Sequence, residues 1–220
     1  MNVKFLNGEI SGYINLEKLL VELLTELKNQ GAHMITVLDI SAVPLENRRG
    51  LDYAIVYTIP LYPENDLSWP AFDRAEKKGE ALAEWLAREL IFLGYEAYPH
   101  TLKNVFNNKT LSSLLPNKTL AVMAGSGWIG KNSLFINPEY GSALSIAAVL
   151  TNMPLPTQNA TPMASRCGDC NICRDVCVPG AIKGRLWEPG LPREELLDAF
   201  CCTECFQCLA QCPWNRISRG

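Results

Sequence analysis

Residues 167–177 read CGDCNICRDVC, and residues 202–213 read CTECFQCLAQCP. Each stretch carries three cysteines separated by pairs of residues and a fourth after a gap of three. They are Cys167, Cys170, Cys173 and Cys177, then Cys202, Cys205, Cys208 and Cys212. The ninth cysteine is Cys201, and none occurs before Cys167. The chain opens on MNVKFLNGEISGY, where Lys4 is followed by no long apolar run, so no secretory signal is expected. A cytoplasmic location follows as the expectation. There disulfide frameworks are disfavoured and clustered thiols read as metal ligands.

The spacing is that of bacterial two-cluster ferredoxins, in which the fourth cysteine of each run ligates the other cluster. Three thiolates on a tight loop reach three irons of one cubane, and the longer gap points the fourth sulfur away. One [4Fe-4S] cluster is therefore expected on Cys167, Cys170, Cys173 and Cys212. A second is expected on Cys202, Cys205, Cys208 and Cys177. Structural zinc sites use paired knuckles with four ligands per ion and would leave thiolates unused here. Cys177 is followed by Val178 before Pro179, one residue later than the usual Cys-Pro. Register with Cys205 and Cys208 selects Cys202 over Cys201, and Cys201 reads as a small apolar packing residue. Metal binding would supply much of the folding free energy of so thiol-rich a segment.

Outward from the cysteines, the chain has 220 residues, 48% of them hydrophobic and 20% charged, with a net charge of -3. That balance excludes a generic polyanion binder, which needs a dense cationic face. No apolar run is long enough to cross a membrane. The proline-bearing stretch Asn152 to Arg166 reads as a linker or surface loop. It divides the chain into an α/β domain over 1–152 and a double-cluster, ferredoxin-like domain over 153–220.

Within the first part, Asn15 is placed to cap a helix striped by Leu16, Leu19, Leu20, Leu23, Leu24 and Leu27 and stopped by Gly31. Strands are expected over His33 to Ile40, Asp52 to Ile59, Tyr95 to Tyr98 and Ser142 to Thr151. A long helix should start at Ser68, with Pro70 in its first turn, and end at Gly94. Pro192 to Phe200 reads as a short helix between the cysteine runs. The alternation predicts a layered α/β domain.

Residues 125–132, GSGWIGKN, match a dinucleotide fingerprint and nearly match a phosphate loop. Both readings require a helix directly after the glycines, and Pro138 and Gly141 leave no room for one. The dinucleotide reading also wants an acidic residue about 20 positions on, and none is there. Three glycines within six residues still allow close approach of backbone to a ligand or a neighbouring segment, or a plain tight turn.

The runs Leu115-Pro116-Asn117-Lys118-Thr119, Ala124-Gly125-Ser126-Gly127-Trp128-Ile129-Gly130-Lys131-Asn132, Glu139-Tyr140-Gly141 and Val149-Leu150-Thr151, followed by the double cysteine motif, resemble the epoxyqueuosine reductase family, which is related to reductive dehalogenases. The resemblance covers roughly residues 115–215. It implies a nitroreductase-like, cobalamin-binding domain joined to the double-cluster module, with electrons passing through the clusters to cobalamin. It also implies that Gly125, Gly127, Trp128, Ile129, Gly130, Lys131 and Asn132 line the corrinoid pocket, Trp128 packing on the macrocycle and Lys131 meeting an acidic or phosphate group. The tRNA-modifying members carry an acidic proton donor in an Asp-x-x-Pro stretch, where this chain has Ser113-Leu114-Leu115-Pro116. The chain also stops after the second cysteine run, without their helical tRNA-contacting extension. The expectation is a shorter paralogue with a different substrate, no tRNA partner, no membrane, and a ferredoxin- or flavodoxin-type electron donor.

Two functions fit this reading. One is a cobalamin-dependent reductase, in which the protein positions and tunes a cofactor that does the hard step. The other is a carrier or reductive activator that docks a partner, for instance a corrinoid protein. Flavin in the same pocket is a third reading. No proton donor is assigned: Tyr53, Tyr57 and Tyr62 read as packing tyrosines and His100 as a structural histidine.

Overall fold

Leucines at three- and four-residue steps wind α1 (Leu16–Asn29), which buries Leu20, Leu23 and Leu27. The structure is a computed structural model that describes residues 16–61, 66–157 and 160–217. The expected cap Asn15 and the tyrosine at 62 lie outside those residues. Two β-branched and aromatic runs form β1 (His33–Asp39) and β2 (Tyr53–Pro60). The long helix α2 (Trp69–Phe92) begins with Pro70 in its first turn. Ser68 occupies the cap position without a capping side-chain bond, and Asp66 Oδ1 accepts the Ser68 N–H at 2.9 Å.

At its far end the Gly94 and Tyr95 N–H groups bond back to Ile91 and Leu90. That cap consumes Tyr95, so β3 is Ala97–His100 rather than Tyr95 to Tyr98. Pro99 is tolerated in β3 because this strand lies at the sheet edge.

After a short α3 (Leu102–Val105) come α4 (Asn117–Met123), the hairpin of β4 (Trp128–Ile129) with β5 (Phe135–Ile136), and β6 (Leu144–Thr151). The main sheet has the order β1-β2-β6-β3 with every pair antiparallel. Alternate residues face opposite layers. On one side Ile55, Tyr57, Ile59, Ala147 and Val149 meet α1 and α2. On the other, Ala54, Val56, Ala148 and Leu150 meet Leu120, Ala121 and Val122 of α4, with Ile129, Phe135 and Leu196. Both faces are covered, giving a mixed α/β fold.

The division near residue 152 is crossed by packing, since Met153 and Leu155 join the first core and Leu196 the second. The start of the stretch read as a linker is thus anchored. Beyond it the backbone forms single turns: α5 (Ile172–Asp175), a 3₁₀ turn at Arg193–Glu195, α6 (Gln207–Ala210) and α7 (Trp214–Ile217). The helix expected over Pro192 to Phe200 is only that 3₁₀ turn. Its continuation is diverted because Leu196 O accepts from Lys183 and Asp198 N–H bonds Ala181 O, pairing this strand-like piece with Ile182.

Candidate functional site

The two cysteine runs fold alike. In each, one helical turn (α5 or α6) follows the second cysteine and presents the third, and these two turns pack on each other. Phe206 adopts a left-handed conformation, φ 61°, to start α6. Burial pushes the Cys173 thiol up to about 11, and the neighbouring Cys167, Cys212 and Cys170 push the same way. Burial raises Cys212 too, with Cys167 and Cys170 adding. Cys208 is pushed up to about 12 by burial, with Cys173, Cys202, Cys205 and Cys177 adding. Cys173 and Cys212 thus share Cys167 and Cys170 as neighbours, while Cys208 has Cys202, Cys205, Cys177 and also Cys173 about it. All nine are free thiols. Among the described residues, no three His, Cys, Asp or Glu side chains are placed to hold a single metal ion.

Cys201 stands apart from both groups. It is exposed, and its Sγ–H donates to Asp198 Oδ2 at 3.2 Å while its N–H bonds Asp198 Oδ1 at 3.2 Å. The expectation of a packing residue is corrected: its side chain is tied to a local turn at the surface.

The glycine loop packs against these thiols. Gly125, φ 64°, ends α4: its N–H bonds Val122 O and the Ser126 N–H bonds Ala121 O, the left-handed helix stop that glycine makes easiest. A Cβ on Gly127 would overlap the Ile136 carbonyl, and one on Gly130 the Ile136 side chain, so both serve the hairpin's tight closure. Ile129 is buried in the second core. Trp128 is 0% exposed, packs edge-on to Trp214 at 4.8 Å between ring centroids, and lies with Ile136, Met163, Cys167 and Cys212. Its Nε1–H has no hydrogen-bond partner. Leaving such a donor unpaired costs about 1–3 kcal/mol.

Lys131 is 5% exposed and donates to Asn171 Oδ1 at 3.1 Å, inside the first cysteine run. Asn132 is buried, and its Nδ2 lies 3.5 Å from Cys208 O. Protein encloses the side chains of Trp128 and Lys131, for which the resemblance implied contact with a macrocycle and with an acidic or phosphate group. A hairpin, not a helix, follows the glycines, as their context demanded.

The tyrosines and His100 are likewise placed. Tyr57 is fully buried with its hydroxyl donating to Gly79 O at 2.7 Å, and Tyr53 packs on the same core. His100 Nε2–H donates to Leu115 O at 2.7 Å, which leaves its Nδ1, buried and without a partner, as the acceptor nitrogen. Sequence reasoning missed three polar anchors. Asn215 is fully buried: its Oδ1 accepts the Ser142 N–H at 2.6 Å and its Nδ2 donates to Leu209 O at 2.6 Å. Lys118 donates to Ser133 O and Oγ at 2.8 and 3.0 Å, and burial lowers it to about 8, with Arg193 adding. Asn171 is the third. The run Pro213-Trp214-Asn215 straight after the last cysteine was the available signal for Asn215.

No family model matches the chain. An epoxyqueuosine reductase from Pseudomonas aeruginosa is 30% identical over 158 residues, covering 65% of this chain and 40% of that protein. The Escherichia coli enzyme of the same name is 32% identical over 153 residues, covering 61% and 39%. This chain is a relative of the epoxyqueuosine reductases. It spans about two fifths of the length of these curated relatives. Solved structures share the fold: a Bacillus subtilis epoxyqueuosine reductase superposes with a TM-score of 0.60 at 19% identity, over 92% of this chain and 66% of that one. A catabolic reductive dehalogenase gives 0.67 at 20%, over 96% and 34%. The named relatives are reductases. Among the described residues, no helix is long and apolar enough to cross a membrane.

Proposed function

We propose that this relative of the epoxyqueuosine reductases is a redox protein that holds two [4Fe-4S] clusters with crossed ligands and moves electrons between a donor protein and an acceptor at its α/β half. The observation that supports this reading is that Cys212 of the second run has Cys167 and Cys170 of the first as neighbours, while Cys208 has Cys177 of the first run beside Cys202 and Cys205. Thiols buried and raised this far stay protonated at neutral pH unless a cationic centre displaces the proton, which is the chemistry of a metal-cluster donor set. The ligands of a cubane stand on four different irons, so they need not converge as the ligands of one ion do. The exposed Cys202 and Cys205 put the second group at the surface, open to a ferredoxin- or flavodoxin-type donor. The buried Cys212 puts the first group against the hairpin of the α/β half.

Cobalamin as the acceptor is supported by the fold shared with a reductive dehalogenase described as acting by B12-dependent dehalogenation. The loop Gly125 to Asn132 does not fit as its cradle, since protein fills the space around it. That filling favours the second reading, a carrier or activator of a partner protein. We propose a substrate other than tRNA, although one structural relative was solved with a tRNA stem loop, because Ser113 offers no carboxylate in the Ser-x-x-Pro stretch. Anaerobic reconstitution tests all of this. The expected result is iron and sulfide for two full cubanes per chain; zinc or cystine bridges in their place overturn the reading. Stoichiometric corrinoid absorption after adding cobalamin selects the reductase, and clusters alone select the carrier.

A further inference from the structure

Trp128 carries the one buried indole N–H left without a partner among the described residues. Its ring is fully enclosed; Ile136, Met163, Trp214, Cys167 and Cys212 pack about it, and the Arg166 guanidinium lies over it. Buried indole N–H groups are rarely left unpaired, so an acceptor belongs at this spot. Cys167 and Cys212 are two members of the first thiol group, drawn from different runs. We infer that the Trp128 Nε1–H donates to a sulfur of the cluster on Cys167, Cys170, Cys173 and Cys212 and raises that cluster's reduction potential above its neighbour's. The inference rests on the two-cluster reading above.

The surroundings of the two groups point the same way. Reduction adds an electron to the cluster, and hydrogen bonds to its sulfurs and positive charge nearby favour the reduced form. Beside the first group, the Lys131 ammonium is held at Asn171, between Cys170 and Cys173. The Arg166 guanidinium lies 5.7 Å from the centre of the Trp128 ring. Both runs also carry carboxylates: Asp169 and Asp175 in the first, Asp175 paired with Arg174 at 2.8 Å, and Glu204 in the second, which faces Glu76 of α2. With the Trp128 N–H, Lys131 and Arg166 at the first group, an electron entering at the exposed Cys202 and Cys205 would run downhill toward the hairpin.

Trp128→Phe keeps a six-membered aromatic ring and removes the N–H together with the five-membered ring that carries it. In the reconstituted holoprotein, the first cluster's reduced-to-oxidised ratio at a fixed ambient potential should fall about tenfold, a shift of about 59 mV for one electron. The second cluster and the iron content should stay as they were. Tryptophan labelled with 15N in the indole should give the reduced wild-type cluster a nitrogen hyperfine coupling that the variant lacks. A ratio unchanged within twofold in a variant holding both clusters overturns the inference. If the variant loses iron, the labelled wild type decides: a coupling supports the assignment and its absence overturns it. A wild type that assembles no cubane overturns the two-cluster reading itself, a failure distinct from an unshifted potential.

Discussion

Cys201 and Cys202 are adjacent thiols with different partners. Cys202 is a neighbour of Cys208, whereas Cys201 is engaged by Asp198, and the carboxylate holds that thiol above its ordinary value. The bonds from the Cys201 side chain and backbone in turn hold Asp198 below the usual carboxylate range. Cys201→Ser keeps the donor to Asp198 and should leave iron per chain unchanged. Cys202→Ser should cost the protein one cluster, read as a loss of half the iron and of one EPR signal. The opposite pattern would overturn the register. The two thiols were separable in the sequence because ligand spacing is fixed by a cubane's size, but the partner of the odd one was not, since an exposed turn leaves no periodic trace. The same holds for Gly125, Gly127 and Gly130. Their crowding was legible, but whether a ligand or the chain itself fills the space depends on residues beyond the loop: Ala160 and Thr161 at Gly125, and Ile136 at Gly127 and Gly130.

At the level of elements, periodicity identified α1, α2, β1, β2 and β6, each long enough to repeat its pattern. It missed α4, whose seven residues give two turns only, and misplaced β3, whose start is taken up by the cap of α2. The pairing of β2 with β6 was not legible either, because it joins distant parts of the chain and local pattern carries no register. Asp73, Glu76 and Glu80 share a face at three- and four-residue steps, where like charges repel. Burial pushes Glu76 up to about 7, with Glu80, Asp73 and Glu204 adding. A carboxyl raised in the folded state binds its proton more tightly there than in the unfolded chain. Its stabilising effect is complete below the ordinary carboxyl range and is lost as pH rises through 7. Glu76→Gln should therefore stabilise the protein by about 1 kcal/mol near pH 8, after allowing for solvent screening of a half-exposed group, and by almost nothing near pH 4. Thermal melts at the two pH values check this, and equal shifts at both would contradict it.

Across the whole molecule the apolar material is unevenly divided. The sheet has a packed layer on each face, built almost entirely from residues before 156, while the hydrophobic residues buried in the thiol-bearing part, among those described, are Ala181, Ile182, Leu196, Leu209 and Cys212. Single turns cannot hold themselves together, since a lone turn fixes several dihedrals for one hydrogen bond. What ties the two parts is local: Trp128 against Trp214, Lys131 to Asn171, and Asn215 bridging Ser142 and Leu209. If the clusters supply the missing folding free energy, their loss should be felt by one part of the chain and not the other. Hydrogen exchange on the protein before and after anaerobic iron chelation measures this. Amides over 167–177 and 202–212 should lose protection by orders of magnitude, while β2 and β6, central in the sheet, keep theirs within a few-fold. Protection lost equally in β2 and β6 would mean that the molecule unfolds as one unit. Protection unchanged in the cysteine runs would mean that the single turns are held by the protein alone and owe nothing to iron.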